Sequence, residues 1–430
     1  MTRSTRASAL LQWIILGVLV GVLCGSASAL FLHLLERATR FREVHEGLVF
    51  ALPLAGLVMG TVFERFGRSI KAGSNLIIDT IHDGGPELPL RLAPMVLVGT
   101  VLTHLFGGSA GREGTAVQMG AGLADALAHR LAVPRHVRRQ LLVAGVAGGF
   151  GSVFGTPVAG AIFGLEFVVL GRIEYDALVP ALVAALVGDM TTRAWGIGHA
   201  HYLAAPHVAL TPLLALKWLV FAAAMAAAST AFIELTHWLK RQGERRVPRL
   251  GLRMAIGGGV VVALWQLLGT SDYLGLGVPM ILRAFEDPHV PVYAFAAKLL
   301  FTAVTLGAGF MGGEVTPLFF AGASLGSVLA RALDIPLALG AGVGMAAVFA
   351  AASNAPLALS VMALELLGAS VFPHAVLVSV VAYLMTGHRS IYPAQRLLGS
   401  KAGGRLSHPT AIRDLPHTEA PPPPSEEPRP

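Results

Sequence analysis

The stretch GSAGREGTAV, residues 108–117, sets an arginine and a glutamate between glycines. LAPMVLVGTVLTHLFG precedes it and QMGAGLADALAH follows it, both apolar enough for lipid. A carboxylate inside a membrane region is expensive and is a functional candidate by default. Gly107, Gly108, Gly111 and Gly114 interrupt the apolar run. Within a bilayer, irregular backbone survives only where it is buried in protein or lines a wet cavity. The segment therefore reads as the start of a half-helix inside the membrane, with Glu113 at its N-terminal end.

The rest of the chain fits that reading. Of 430 residues, 54% are hydrophobic and 13% charged, about half the usual charged share of a soluble domain. Apolar runs recur from Leu10 almost to Met385. Many reach the roughly 20 residues that cross a hydrocarbon core of about 30 Å. The expected fold class is all-α, a polytopic protein of the lipid bilayer. The net charge of +7 does not point to nucleic acid. Basic residues gather at span ends, as in MTRSTR and LKRQGERRVPRLGLR, where cytoplasmic loops hold them. No basic face interleaved with aromatic residues is evident.

The N-terminus has signal-peptide features: basic Thr2–Arg6, apolar Leu10–Leu23, and small residues at Ser26–Ala29. Because the apolar pattern continues through Leu30, Phe31, Leu34 and Leu35, a retained first helix is expected after a cytoplasmic N-terminus of residues 1–9. Cys24 is the single cysteine, which excludes an internal disulfide and a thiolate metal cluster. Residues 401–430, ending in EAPPPPSEEPRP, are expected to form a disordered Pro-rich tail.

The chain also matches itself. SALFLHLLER at Ser28–Arg37 resembles STAFIELTHW at Ser229–Trp238. GREGT at Gly111–Thr115 resembles GGEVT at Gly312–Thr316, and TPVAGAIFGLE at Thr156–Glu166 resembles APLALSVMALE at Ala355–Glu365. Phe31 and Phe232 are as far apart as Glu113 and Glu314, and the Pro157–Pro356 and Glu166–Glu365 pairs differ from that spacing by two positions. Matches in one order at nearly one offset indicate duplication, with repeats over 10–210 and 211–400. Halves of this kind pack about a pseudo-two-fold axis with the substrate site between them near the midplane.

Glycines break the second copy too, at Gly307, Gly309, Gly312 and Gly313, and Lys71–Asn75 opens a third run, LIIDTI. A helix N-terminus presents free N–H groups and the positive end of its dipole. Several such ends converging make an anion site without a full positive charge. Such a site holds its ion weakly enough to conduct.

Each candidate residue has a plainer role beside its functional one. Glu113 is either an interfacial partner of Arg112 or a gate that occupies the anion site until protonation releases it. Glu314 is a helix-end charge or a proton carrier. Thr316 caps its helix or faces the ion. Ser74 is an ordinary N-cap unless its hydroxyl shares the cavity. Tyr392 follows the last apolar span, where interfacial tyrosines are common. Glu166 and Glu365 read as residues that fix helix ends. His82, His104, His199 and His201 form no metal-ligand spacing and read as surface or packing residues, so neither a metal nor a cofactor is expected.

GREGT and TPVAGAIFGLE together resemble the CLC family of anion channels and proton-coupled exchangers, over about residues 10–400. GREGT is similar to the family's GREGP, whose glutamate is the external gate. GGEVTP falls where the family has its GxFxP loop, Gly73–Ile77 where it has GSGIP, and Tyr392 where its central tyrosine faces the anion. The resemblance implies two inverted repeats of broken and tilted helices in a homodimer, with a separate pore in each subunit. Several motifs depart from the family's usual form. GSNLI replaces GSGIP, GREGT replaces GREGP, and Glu314 and Thr316 replace an apolar pair. No glutamate stands near His199–Tyr202, where chloride–proton exchangers of the family place their internal proton acceptor. These changes are similar to the bacterial fluoride–proton antiporters of the family, whereas Ser74 is the serine of chloride-type members.

The expectation is thus an inner-membrane exporter of fluoride in exchange for protons. Glu113 and Glu314 would gate and carry protons. Backbone groups of Gly114, Thr115, Val315 and Thr316, with hydroxyls of Ser74, Thr316 and Tyr392, would hold the halide. A chloride channel or chloride–proton exchanger of the same fold is the first alternative. A membrane-embedded enzyme is the second, and no serine elbow, metal motif or cofactor fingerprint favours it.

Overall fold

The structure, a computed structural model, describes residues 3–401 and 405–415. Sixteen α-helices are present among the described residues, and one eight-helix order occurs twice. The first set is α1 (Arg3–Val44), α2 (Leu52–Phe66), α3 (Ser74–Asp83), α4 (Leu92–Leu105), α5 (Glu113–Arg130), α6 (Arg135–Phe154), α7 (Pro157–Glu166) and α8 (Leu178–Ala194). The second is α9 (Pro212–Arg246), α10 (Leu250–Leu268), α11 (Val278–Glu286), α12 (Ala294–Ala308), α13 (Val315–Ala332), α14 (Leu337–Ser353), α15 (Pro356–Leu367) and α16 (Phe372–Met385). Helix α1 begins at Arg3, earlier than the expected Leu10, and packs on α6 and α8.

Among the described residues, six helices are long and apolar enough to cross a membrane. Others are too short to do so alone: α3 and α7 have 10 residues each and α11 has 9. Side chains such as Leu54, Leu216 and Val220 stay exposed on the long helices, as lipid contact requires. In lipid the hydrophobic effect does not drive helices together, so close packing of small residues does. A Cβ on Gly120 would lie 2.3 Å from the Gly145 carbonyl, and one on the equivalent Gly322 would lie 2.2 Å from that of Gly344. The α5–α6 and α13–α14 seams are thus built alike.

The contacts repeat as the helices do: α4 on α5 and α12 on α13, α6 on α8 and α14 on α16, α1 on α8 and α9 on α16. Helices α2 and α10 pack on each other, as do α7 and α15, so each pair lies across the line relating the halves. Two carboxylates make the relation reciprocal. Glu365 at the end of α15 accepts from the Val158 and Ala159 N–H groups that open α7, at 3.0 and 2.8 Å. Glu166 at the end of α7 accepts from Leu357 and Ala358 N–H at the start of α15, at 3.2 and 2.9 Å. Both fix helix ends, as their sequence positions suggested.

The expected disordered tail needs correction. A small sheet joins β1 (Val169–Leu170), β2 (Arg396–Gly399) and β3 (Arg405–Ala411), with β1 parallel and β3 antiparallel to β2. Residues 405–411 are therefore ordered against the membrane region, because β2 offers them a free backbone edge. Residues 402–404 and 416–430 of the expected tail lie outside the described residues.

Candidate ion-transport site

The two glycine loops meet at the centre of the protein. Gly111 N–H donates to the Gly313 carbonyl at 2.6 Å, and Gly313 N–H donates back to Gly111 at 2.8 Å, an antiparallel bridge between the repeats. A Cβ on Gly313 would lie 2.7 Å from the Gly114 nitrogen, so only glycine allows this approach. The first loop is held from outside. His104 is fully buried, with its ring nitrogens 2.8 Å from the Thr100 carbonyl and 3.0 Å from that of Ala110. Ser109 lies 2.9 Å from Thr302 on α12, hydroxyl to hydroxyl. His104 is thus a packing residue, as expected.

This closure sets the starts of α5 and α13 side by side. Glu113 is the first residue of α5 and is fully buried. Its carboxylate reaches across to the start of α13. Thr316 N–H donates to it at 3.1 Å, and the Thr316 hydroxyl lies 2.6 and 2.7 Å from its two oxygens. Arg112 adds its backbone N–H at 3.1 Å and its Nε at 3.4 Å. Glu113 therefore pairs with Arg112, its plainer role, and its carboxylate also rests on the start of a second helix. Thr316 faces the carboxylate and does not cap its own helix. Pro317 carries no N–H, so α13 offers only the Val315 and Thr316 donors, and α5 offers those of Glu113, Gly114 and Thr115.

Below the bridge lies an open cavity of about 1370 Å³. Its buried floor carries Ser74, Thr115, Gln118 and Tyr392, with Glu314, the N-cap residue of α13, beside them. Glu314 is near the start of α5 as well, with Oε2 3.8 Å from where a Gly114 Cβ would stand. Lys71, Lys240, Arg241, Arg253, Arg389 and Arg413 line the same cavity against Glu234 and Glu244, so its walls are net basic. Tyr392 packs edge-on against Phe167 at 4.8 Å, within electrostatic reach of both glutamates.

Helix α3 brings a third N-terminus to this floor. Gly73, at φ +56°, occupies the N-cap position, so Ser74 is the first helical residue and not the cap. Its hydroxyl accepts instead from Gln118 Nε2 at 3.5 Å. Thr115 shares a 2.7 Å hydroxyl contact with Thr100. The starts of α7 and α15 are occupied by Glu365 and Glu166, which leaves α3, α5 and α13 as the helix ends facing the centre. Gln118 and Thr100 were not anticipated, because no local pattern distinguishes a polar residue that faces a cavity or supports one that does. His199 sits 3.3 Å from Asp189, Tyr202 is within electrostatic reach of Arg112 and Glu113, and neither lines the cavity.

Half-helices that start mid-protein, a buried carboxylate on a helix end and a polar cavity behind it define an ion channel or secondary transporter of the membrane. Residues 55–387 match the voltage gated chloride channel family. A chloride/fluoride channel protein of Pseudomonas syringae pv. tomato is 44% identical over 94% of this chain and 90% of its own. The chain belongs to the CLC family. A crystal structure of a CLC-type fluoride/proton antiporter superposes with a TM-score of 0.88 at 36% identity, covering 92% of this chain and all of that one. A slow cyanobacterial Cl⁻/H⁺ antiporter shares the fold at a TM-score of 0.74 and 18% identity, over 88% of this chain and 93% of its own.

Proposed function

We propose that this chain is a fluoride–proton antiporter of the cell inner membrane, acting as a homodimer. The observation that carries the reading is the Glu113 carboxylate seated on the start of α13, with Glu314 at the head of that same helix above the basic cavity. The similarity to a fluoride/proton antiporter and to a chloride/fluoride channel protein supports it.

The carboxylate and a halide need the same donors, so they compete for them. Protonation removes the charge that holds Glu113, its side chain leaves, and the halide takes the Val315, Thr316, Gly114 and Thr115 N–H groups. The Thr316, Ser74 and Tyr392 hydroxyls complete the path towards the cavity. Fluoride is small and strongly hydrated, and short donors are needed to replace its water. Glu314 passes protons between the cavity and Glu113, both at the junction of α5 and α13.

The rival reading is chloride transport, favoured by the serine at position 74. Reconstituted protein in liposomes loaded with fluoride or chloride separates the two. Fluoride efflux with coupled proton entry is expected. Chloride efflux at an equal or greater rate, or fluoride efflux without proton movement, overturns the proposal.

A further inference from the structure

Helix α3 is short, yet it carries Ser74, whose hydroxyl lies on the cavity floor. It is tied to the C-terminal segment at three points spaced four residues apart, which places them on one helical face. Asn75 Oδ1 accepts from Ala394 N–H at 3.0 Å. Asp79 receives the Arg413 guanidinium through two hydrogen bonds of 3.0 Å each. Asp83 receives Arg396 at 2.8 and 3.1 Å, and Arg396 also lies 3.7 Å from Asp79. The antiparallel register pairs Arg396 with Ala411, which sets Arg396 and Arg413 side by side. Acidic residues late in a helix oppose its dipole, so Asp79 and Asp83 stand against local preference and opposite two arginines.

The C-terminal side of this contact is itself anchored in the core. Buried Gln395 donates to the carbonyls of Phe167 and Ser353, each at 2.8 Å, and accepts from Ser390 and Asn354. Asn75 follows Ser74 directly, and Ala394 lies two residues beyond Tyr392. One hydrogen bond, from a backbone N–H to the Asn75 side chain, therefore links the segments that carry the Ser74 and Tyr392 hydroxyls.

We propose that α3 and the C-terminal residues 392–399 and 405–414 form one clamp, in which Asp79, Asp83, Arg396 and Arg413 are positioning residues that fix the distance between the Ser74 and Tyr392 hydroxyls. The clamp sets which halide the floor accepts. This second half of the proposal rests on the assignment of those hydroxyls to the ion path.

The test uses the full chain in liposomes. One variant carries Asp79→Asn with Asp83→Asn. A second exchanges all four charges: Asp79→Arg, Asp83→Arg, Arg396→Asp and Arg413→Asp. Amide hydrogen exchange is followed over residues 74–83 and 392–399, with α11 as internal control, and the fluoride-to-chloride efflux ratio is measured beside it. The neutral variant should exchange roughly fivefold faster in both segments, the size of loss expected for exposed ion pairs acting together, with α11 unchanged and the halide ratio shifted. The fourfold exchange should restore both. Unchanged hydrogen exchange in the neutral variant, or no recovery in the fourfold variant, overturns the clamp. Faster exchange with the parent's halide ratio overturns the positioning role. If the parent carries chloride and no fluoride, the antiporter reading fails, and chloride-to-bromide selectivity in the same variants decides the clamp.

Discussion

Replacing Thr316 with valine removes one hydroxyl at nearly constant shape. In the structure that hydroxyl lies 2.6 and 2.7 Å from the two oxygens of Glu113. The backbone N–H groups of Thr316 and Arg112 remain, each at 3.1 Å. One hydrogen bond to a charged group contributes about 1.5–3 kcal/mol, so the seated carboxylate should lose that much. Halide that displaces it then gains roughly 10- to 150-fold in apparent affinity from this term, at about 1.4 kcal/mol per tenfold. The same hydroxyl also contacts the halide in the proposed mechanism, so the single variant mixes two effects. A double-mutant cycle with Glu113→Gln separates them. Fluoride binding is measured by titration calorimetry on the four purified proteins. In the Glu113→Gln background the charged hydrogen bond is gone, so Thr316→Val reports the direct contact with the ion together with a weaker neutral bond to the amide. With Glu113 present, the same change should be more favourable to fluoride by roughly 10- to 150-fold. Equal effects in the two backgrounds would refute competition between carboxylate and halide for the start of α13.

Glu314→Gln should stop or uncouple proton-linked transport while the fold is kept; proton and fluoride fluxes at the parent rate and ratio would reduce Glu314 to a helix-end charge. Glu166→Gln and Glu365→Gln should each destabilise the protein by about 1–2 kcal/mol through a lost helix cap, lowering the unfolding temperature in detergent with no change in halide preference. Gly313→Ala should abolish transport, because its Cβ meets the Gly114 nitrogen at 2.7 Å, whereas Gly259→Ala, with nothing within 4 Å, should transport at the parent rate. In a Cys24→Ala background, single cysteines in the Lys240–Arg253 stretch and in the loop after Arg42 should label from opposite sides of the membrane; labelling from one side would break the inverted arrangement.

The duplication was readable because glutamate is scarce in an apolar chain and the matched segments keep one order and nearly one spacing. Glu113 and Glu314 could be matched, and the half-helix starts followed from glycine. The pairing of Glu113 with Thr316, or of Asp79 with Arg413, could not be read, because it joins positions far apart in the chain through tertiary contact alone. Helix faces were hard to assign for a different reason. Lipid and protein core are both apolar, so the periodic contrast that marks a buried face in water is largely missing. Ser74 shows the limit of local rules: it stands where an N-cap is expected, but the left-handed Gly73 takes that position and frees the hydroxyl for Gln118. The C-terminal strand escaped notice because its composition resembles the tail that follows it.

The exchanged glutamates at the ends of α7 and α15 bear on how such a chain could have arisen. Severed between Ala194 and Pro212, either half would hold a carboxylate with no N–H group to receive and a helix start with no acceptor. Neither fault can be repaired within its own half, since each requires a second unit turned over beside the first. A single ancestral eight-helix chain with this glutamate meets that need only if it inserts in both orientations and pairs with a copy of itself. In that ancestor one side chain served in both copies, each lending it to the other. In the present chain positions 115 and 316 differ in surroundings, one facing Thr100 and the other Glu113, while the lent carboxylates still tie the two halves together.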